Sequence, residues 1–573
     1  MTEELTITTE RVDDTPFLMA HMKRMGIPWL LDESFPTHGN WEGLSLGWVA
    51  AGWLSHILSE GDHRMNHAQQ WAEKRLETLS NLMGQPVRAL DFSDDCLSLV
   101  LRTLSDDEKW KVFERELNGH LLRVYPLKPK SVRIDTTTCS GYWSVTPEGL
   151  FQFGFSKDHR PDLPQVKVVL SALDPLGMPA ATDVVSGNWA DDPLYIPVIR
   201  RIQESLRTHG LLYIGDAKMS AAETRAFVEA TDDFYLSPLT RVQVPEEELG
   251  RYLEPVWEGD QDLVSIHREN AAGERKLIAK GYERPTSMMA DAQGETIRWT
   301  ERRLVIRSIQ QVRAAETRLR KRLDRAQAAL EALNERGRGK KRYRSLAKLR
   351  QAAEELVKEH KVEGLLTLGF YVTFHRRRVR HYGDRPTRIV VEEDPGLVVQ
   401  VNEVAVREVL RRKGWRVYVT NAPKSELSLS QAVLAYRNQY IVERGCGRLK
   451  GRPLSLRPMY LERDDHATGL IRLLTIGLRV LTLLEFVVRQ RLAQEGTELA
   501  GVYAGNPKRS TARPSAELLL EAFEDITLIV IQEPHRSLRH LTPLSEPQKR
   551  ILKLSGFSPK IYTRLCAQFS KPP

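Results

Sequence analysis

Two short apolar runs, far apart in the chain, each deliver an aspartate as they end: Ser131-Val-Arg-Ile-Asp135-Thr-Thr-Thr138 and Leu211-Leu-Tyr-Ile-Gly-Asp216-Ala-Lys-Met-Ser220. Both read as short buried strands, because apolar and aromatic residues fill them and polar or glycine residues bound them. Around them the pattern predicts strands at Val132–Ile134, Leu150–Phe155, Val166–Leu173, Leu211–Ile214 and Phe234–Ser237. Helices are predicted at Leu194–Leu206 and Ala221–Ala230. Three hairpin-joined strands followed by alternating helices and strands describe a mixed sheet covered by helices. If the first and fourth strands pair, Asp135 and Asp216 become neighbours.

A third acid stands much later, in Tyr436-Arg-Asn-Gln-Tyr-Ile-Val-Glu443-Arg-Gly-Cys-Gly-Arg-Leu-Lys450. Tyr436, Glu443 and Lys450 are seven residues apart in turn (443 − 436 and 450 − 443). Seven residues is close to two helical turns, so one helix running from about Gln431 to Lys450 puts all three on one face. An acid bracketed by a phenol and an ammonium makes a poor core stripe. It suits a carboxylate that holds a divalent metal while its neighbours touch a phosphate backbone. Mg²⁺ and Mn²⁺ prefer hard oxygen ligands, and Mg²⁺ keeps several waters. Three acids from distant segments can hold two such ions about 3.5–4 Å apart, the arrangement that clamps an in-line phosphoryl displacement.

Chain length and charge agree with a large polyanionic partner. At 573 residues the chain exceeds one ordinary core. Lys and Arg outnumber Asp and Glu by 84 to 75, a formal net charge of +9, which favours a polyanionic partner. Cys96, Cys139, Cys446 and Cys566 are scattered, so a zinc knuckle or disulfide framework is not expected and a reducing compartment is. Met1-Thr-Glu-Glu-Leu-Thr lacks the marks of a secretory signal. The apolar run from Leu470 to Leu492 is interrupted by Arg472, Arg479, Glu485 and Arg489, which reads as a buried helix rather than a membrane span. The expected location is the cytoplasm.

Five segments are expected. Residues 1–128 form a helical N-terminal domain, a candidate for binding DNA ends. Within it Ser93-Asp94-Asp95 reads as a helix cap rather than a catalytic pair. Residues 129–240 carry Asp135 and Asp216. Residues 241–394 are an insertion, with a basic helical hairpin along Arg313–His360 whose tip, Gly337–Arg344, includes Lys340, Lys341 and Arg342. That tip reads equally as a phosphate-contacting loop or a solvated turn, since no acids balance it locally. Arg376, Arg377 and Arg378, near the end of a strand beginning at Leu366, are read as following a nucleic-acid backbone rather than as a solvated edge. Residues 395–495 return to the sheet with Glu443, and 496–573 form a helical C-terminal subdomain. Tyr142 and Trp143 are read as core packing ahead of base stacking. Lys157, Asp158, His159 and Arg160 form a polar loop, near DNA or a plain turn.

Taken together, Asp135-Thr-Thr-Thr, Gly154-Phe-Ser-Lys-Asp-His-Arg-Pro-Asp-Leu-Pro-Gln165, Gly215-Asp216-Ala-Lys and Tyr436…Glu443…Lys450 resemble a DDE transposase of a bacterial insertion sequence. The likeness is to the branch with a Tyr-x2-Arg-x3-Glu-x6-Lys signature, and it extends over nearly the whole chain. The resemblance implies an RNase-H-like core interrupted by a β-rich insertion and cut-and-paste movement of the element. It implies Mg²⁺ as cofactor, two ions, with Mn²⁺ as a substitute. It implies binding of double-stranded DNA, both the element's terminal inverted repeats and the target, by a homodimer in the synaptic complex. Relatives release the element through a DNA-hairpin step, and the resemblance implies a bacterial cytoplasmic protein that sits on the nucleoid when bound to DNA. Asp135, Asp216 and Glu443 would be the catalytic, metal-binding triad, and Tyr436 and Lys450 would contact DNA phosphates near the scissile end. The family's arginine is Gln439 here, which can hydrogen-bond a phosphate but brings no charge. Arg437 or Arg444 would have to supply it. Three other readings stay open: an RNase-H-like nuclease without strand transfer, an inactive transposase-derived DNA-binding regulator, and, far less favoured, a carboxylate-pair hydrolase acting on sugars.

Overall fold

The computed structural model describes residues 6–37, 43–270, 273–381, 383, 386–533 and 537–567; Met1–Leu5, read above as lacking a secretory signal, lie outside them. A strand, β1 (Thr6–Arg11), leads into helices α1 (Thr15–Arg24), α2 (Ile27–Ser34), α3 (Leu46–Glu60), α4 (Met65–Glu73), α5 (Leu76–Met83), α6 (Asp94–Leu104) and α7 (Asp107–Val124). Ser93 caps α6 as its sequence predicts: the side chain accepts from the Cys96 N–H at 3.5 Å, and Asp94 and Asp95 occupy the first turn, where the helix dipole favours acids.

The sheet begins with β2 (Ser131–Ser140), β3 (Gln165–Asp174) and β4 (Met178–Ser186). It continues through α8 (Tyr195–Leu206), β5 (Leu212–Ile214), α9 (Ala222–Ala230), β6 (Phe234–Pro238) and α10 (Glu246–Glu258). Three more strands follow: β7 (Val264–Glu269), β8 (Arg275–Ala292) and β9 (Glu295–Ser308). Next come α11 (Ile309–Glu331), α12 (Leu346–Glu359), β10 (Leu366–Val379), β11 (Arg388–Val401), α13 (Glu403–Arg411) and β12 (Trp415–Thr420). One nine-stranded sheet has the order β4-β3-β2-β5-β6-β12-β9-β8-β7. β4, β3 and β2 are antiparallel, whereas β2, β5 and β6 run parallel. Hydrogen bonding therefore continues past residue 241: β7, β8 and β9 extend the same sheet through β12. Beyond β9, α11 and α12 cover a separate two-stranded ribbon, β10–β11. Leu319, Leu323, Ala326 and Leu330 of the predicted seam are buried, packed on Val362, Leu365, Val406, Leu397 and Val399.

Two expectations change. Leu150–Phe155 is not a strand: only Gln152 bridges, to Gln165, and Phe153 and Phe155 are exposed. A Cβ at Gly154 would strike the Gly187 carbonyl, so this run lies as a loop against the exit of β4. The third antiparallel strand is β4, whose Met-Pro-Ala-Ala start gave little β signal. The C-terminal segment is also not all helical. It contains short β13 (Leu499–Ala500) and β14 (Ser510–Thr511), then β15 (Thr527–Gln532), which lies between β1 and β16 (Ser537–Leu541). The β-branched run Thr527-Leu-Ile-Val-Ile accounts for that strand, and it ties the two ends of the chain together.

The remaining helices are α14 (Leu429–Arg437), α15 (Tyr440–Lys450), α16 (Asp464–Glu495), α17 (Ala516–Glu521), α18 (Glu546–Ser555) and α19 (Lys560–Thr563). α16 is the axis on which the N-terminal helices, the sheet and the C-terminal segment pack. A fully buried Leu contributes roughly 1.5–3 kcal/mol relative to an exposed one, and Leu470, Leu473, Leu474, Leu481 and Leu483 are all fully buried there. A Cβ at Gly469 would collide with the Leu101 carbonyl, so α16 and α6 touch backbone to backbone. Three of the charges that broke the apolar run, Arg472, Arg479 and Glu485, are buried, and Arg489 is partly buried; all are paired. Arg479 donates to Glu114 at 2.6 Å, and Arg201 takes that carboxylate's other oxygen. Arg472 donates to the Leu104 carbonyl at 2.8 Å, and Glu485 accepts from Arg444 and Arg448. Among the described residues no helix is long and apolar enough to cross a membrane.

Breaking a buried pair leaves an uncompensated charge, which costs about 3–5 kcal/mol. Glu114→Gln, which leaves the fully buried Arg479 without a counter-charge, is therefore expected to lower unfolding stability by about 3 kcal/mol, read from the urea midpoint. A loss below ~1 kcal/mol, the range of surface pairs, would show that Arg479–Glu114 does not hold α16 to α7.

Candidate active site

The parallel pairing of β2 with β5 sets Arg133 opposite Ile214. Two residues further along each chain stand Asp135, inside β2, and Asp216, close enough that the Asp135 carboxyl feels the Asp216 charge. Asp216 lies just past the end of β5. Its Oδ1 accepts from the Tyr195 hydroxyl at 2.7 Å and the Lys218 N–H at 2.8 Å, which fixes that carboxylate's orientation. Asp135 Oδ1 accepts from the Thr136 N–H at 2.8 Å and from Lys157 Nζ at 3.5 Å. Lys157 Nζ also donates to the Thr136 carbonyl at 2.6 Å and stands 3.9 Å from Asp191 Oδ2. Asp191 is in turn held by Lys167 at 2.6 Å.

Burial pushes the Asp135 carboxyl above the ordinary carboxylate range; Lys157 and the Thr136 N–H pull it back, and the charge of Asp216 pushes it up again. Burial likewise drives the Tyr195 phenol well above its ordinary value, reinforced by Asp216, so it stays a donor.

The third acid is carried differently from the expected single helix. The chain breaks at Asn438 and Gln439, so Tyr436 stands in the last turn of α14 while Glu443 and Lys450 belong to α15. The cause is local competition for backbone groups. The Ala435 carbonyl accepts from the Arg133 guanidinium at 2.7 Å and from the Asn438 N–H at 3.1 Å, and Gln439 N–H turns to the Tyr436 carbonyl at 3.3 Å. Arg268 takes the Asn438 side chain at 2.6 Å. Arg133 is fully buried and also donates to Asp174 at 2.7 Å, so it pins α14 to the strand that carries Asp135.

Glu443 lies exposed in the first turn of α15, which packs on β2 and β3: a Cβ at Gly445 would meet Leu170 at 3.3 Å. Tyr436 is half-buried, with its ring 4.7 Å from that of Tyr418, and it feels the charges of both Asp216 and Asp135. Cys446 is buried, its thiol pushed up to about 12 by that burial, with Asp135, Lys450, Lys157 and Glu443 all within electrostatic reach. Asp135, Glu443 and Lys450 thus surround Cys446 at electrostatic range, and Asp135 and Asp216 stand likewise around Tyr436. Among the described residues no three His, Cys, Asp or Glu side chains stand close enough to form a metal cluster.

Several expected DNA contacts have protein partners. Lys450 donates to Asp158 at 2.9 Å, and Arg444 forms a two-point pair with Glu485 at 2.7 and 3.1 Å. Gln439 is the N-cap residue of α15, and its Oε1 is buried without a hydrogen-bond partner among the described residues. The insertion tip is not free of acids, as its local sequence suggested: Lys340 pairs with Glu335 at 2.5 Å, and Arg342 stands 3.6 Å from Glu392 and 3.8 Å from Asp394. Those last two acids come from β11, beyond the reach of local reading. Lys341 lies 5.2 Å over the Tyr343 ring. Arg376, Arg377 and Arg378 are exposed on β10, opposite Val391, Val390 and Ile389, on the ribbon rather than the main sheet. Trp143 stacks on Phe151 at 4.3 Å, as core packing requires, while Tyr142 is exposed.

Asp135 and Asp216 offer the hard oxygen ligands that a divalent cation takes. Burial and the charge of Asp216 both make Asp135 costly to ionise, and Asp135 already draws an ammonium, Lys157, onto itself. Tyr195, Asp191 and Arg133 were not singled out from sequence; each acts through a contact distant in the chain, and no local pattern marks it.

The raised Asp135 value makes a test. A carboxyl whose folded pKa exceeds its unfolded one contributes stability below the unfolded value, and that contribution is lost as pH rises through the folded value. At neutral pH the charged Asp135 is thus a burden. In chelator, Asp135→Asn is expected to melt above wild type at pH 7.5, by ~2 °C. The advantage should vanish as pH falls toward about 4. A variant that melts at or below wild type at pH 7.5 contradicts this.

A family described as "Transposase DDE domain" matches residues 156–478, more than half the chain. The match takes in Asp216 and Glu443 and begins after Asp135. Among curated proteins none matches. Of solved structures, the piggyBac transposase synaptic complex with hairpin DNA is similar at 9% identity and a TM-score of 0.33, over 99% of this chain and 85% of that one. A likeness that slight carries no argument about fold. The family match is sufficient by itself: this chain belongs to the transposase DDE domain family.

Proposed function

We propose that this chain is a DDE transposase that cuts DNA at the ends of its own insertion element and joins the freed ends to a target. The observation that carries the reading is the parallel β2–β5 register, which sets Asp135 beside Asp216 with the Glu443 helix packed against the same strands. The strand order β4-β3-β2-β5-β6, three antiparallel followed by two parallel, supports an RNase-H-like core. The family supports nucleic-acid chemistry, and a net charge of +9 supports a DNA partner.

In this reading Asp135, Asp216 and Glu443 hold the divalent ions, Mg²⁺ or Mn²⁺. Bound there, such ions lower the pKa of an attacking water and offset charge on the leaving oxygen. The chain's residues orient the rest. Tyr195 and the Lys218 N–H hold one Asp216 oxygen, so its other oxygen is the one presented. Water attacks phosphorus in line, the P–O3′ bond breaks, and the element keeps a 3′-OH. That hydroxyl then attacks a phosphodiester, either on the opposite strand to give a hairpin or in target DNA, and the displaced 3′ oxygen leaves with a proton. Lys450 offsets phosphate charge in the transition state, and Tyr436 lines the site beside it. Gln439 gives a neutral contact where the family has arginine. The basic ribbon with Arg376–Arg378 follows flanking DNA, the N-terminal helices read the terminal repeats, two copies synapse the ends, and the work is done in the cytoplasm on the nucleoid.

The test is cleavage and joining of DNA bearing the sequences that flank the reading frame, in Mg²⁺. Wild type should cut and join; Glu443→Gln should lose both by at least about a hundredfold while binding the same DNA. Cutting without joining would identify a nuclease. Binding without cutting by wild type, even in Mn²⁺, would identify a regulator.

A further inference from the structure

We infer that Asp158 is an internal stand-in for a DNA phosphate, seated in a two-cation site made by Lys450 and Arg457. This rests on the transposase reading and deepens it. Asp158 Oδ1 lies 2.9 Å from Lys450 Nζ and 3.1 Å from Arg457 Nη1. The two cations are brought together by backbone pairing: the Leu456 N–H donates to the Leu449 carbonyl at 3.0 Å and the Arg457 N–H to the Lys450 carbonyl at 3.1 Å. The site is built on the end of the helix that carries Glu443, and it faces the strand that carries Asp135.

Two features distinguish this from an ordinary structural clamp. Asp158 is only 7% exposed, and its Oδ2 is buried without a hydrogen-bond partner among the described residues. A carboxylate so placed forfeits hydration that it regains on release. The cations stay reachable, Arg457 at 37% and Lys450 at 22% exposure, so an incoming phosphate can approach from solvent. Asp158 also sits next in the chain to Lys157, which covers Asp135 with its ammonium. One loop thus lays a cation on the first acid and an anion on the lysine of the third-acid helix, the charges that a divalent ion and a phosphodiester would bring. Exchange of carboxylate for phosphodiester leaves the net charge of the site unchanged, and Lys plus Arg is a natural phosphate pair. Without DNA the loop holds the site closed; a phosphate displaces Asp158, and the loop swings clear.

The test is binding of a short fluorescent duplex at low salt in EDTA, which needs no cleavage. Asp158→Asn should bind about tenfold tighter than wild type, a typical coupling between sites. That gain should disappear when Lys450→Ala and Arg457→Ala are added. Arg457→Gln alone should weaken binding with an unchanged melting temperature. A folded Asp158→Asn that binds no tighter than wild type overturns the inference. If that variant does not fold, Arg457→Gln decides: unchanged affinity overturns the inference, weaker affinity upholds it. A wild type that binds no duplex at low salt overturns the transposase reading and this inference together.

Discussion

The parallel pairing of β2 with β5 is the constraint on which the rest of the site depends. It brings together two segments that are separate in sequence, and its register pairs Arg133 with Ile214, two residues before Asp135 and Asp216. A slip of one residue would send one carboxylate to the opposite face of the sheet. The fold guards against it from both sides. β2 is locked to β3 along its whole length, and β5 is flanked by the parallel β6. Arg133, buried two residues before Asp135, bonds to the Ala435 carbonyl and so fixes where α14 ends and α15 begins. The position of the third acid is thereby tied to the strand of the first.

Charge is arranged with the same economy. Burial makes Asp135 costly to ionise, and the protein lays Lys157 against it. The same loop sends Asp158 to Lys450. Away from the sheet end, α16 buries Arg472, Arg479 and Glu485, each with an opposite charge from another element. These pairs join the N-terminal helices, the Glu443 helix and the C-terminal segment into one scaffold behind the site. On the proposed reading a rigid back supports a mouth whose charges are exchangeable.

Much of this was legible in the residues because the signals are local. Ser131–Thr138 and Leu211–Asp216 announce strands, although β2 runs on through Asp135 to Ser140 rather than ending there; Ser93 announces a cap, and the seam from Leu319 to Leu330 is buried as its spacing predicts. What was not legible comes from contacts at long range. Nothing in Tyr436–Lys450 marks a helix break, since the break is made by Arg133 and Arg268, far upstream. β4 hides behind small residues and a proline, and the acids that balance Lys340–Arg342 include Glu392 and Asp394 from β11. Tyr195 lies on the buried side of α8, where helical spacing reads only as core; its hydroxyl bond to Asp216 exists only in the fold.

The central claim, that Asp135 and Asp216 with Glu443 form one divalent-metal site, is tested most directly by loading the protein with Fe²⁺ and mapping hydroxyl-radical cuts in its own backbone. The account predicts cuts confined to the chain near residues 135, 216 and 443, all lost on competition with Mg²⁺ and in Asp216→Asn. Cuts centred elsewhere, or cuts at these places that persist in Asp216→Asn, would contradict it.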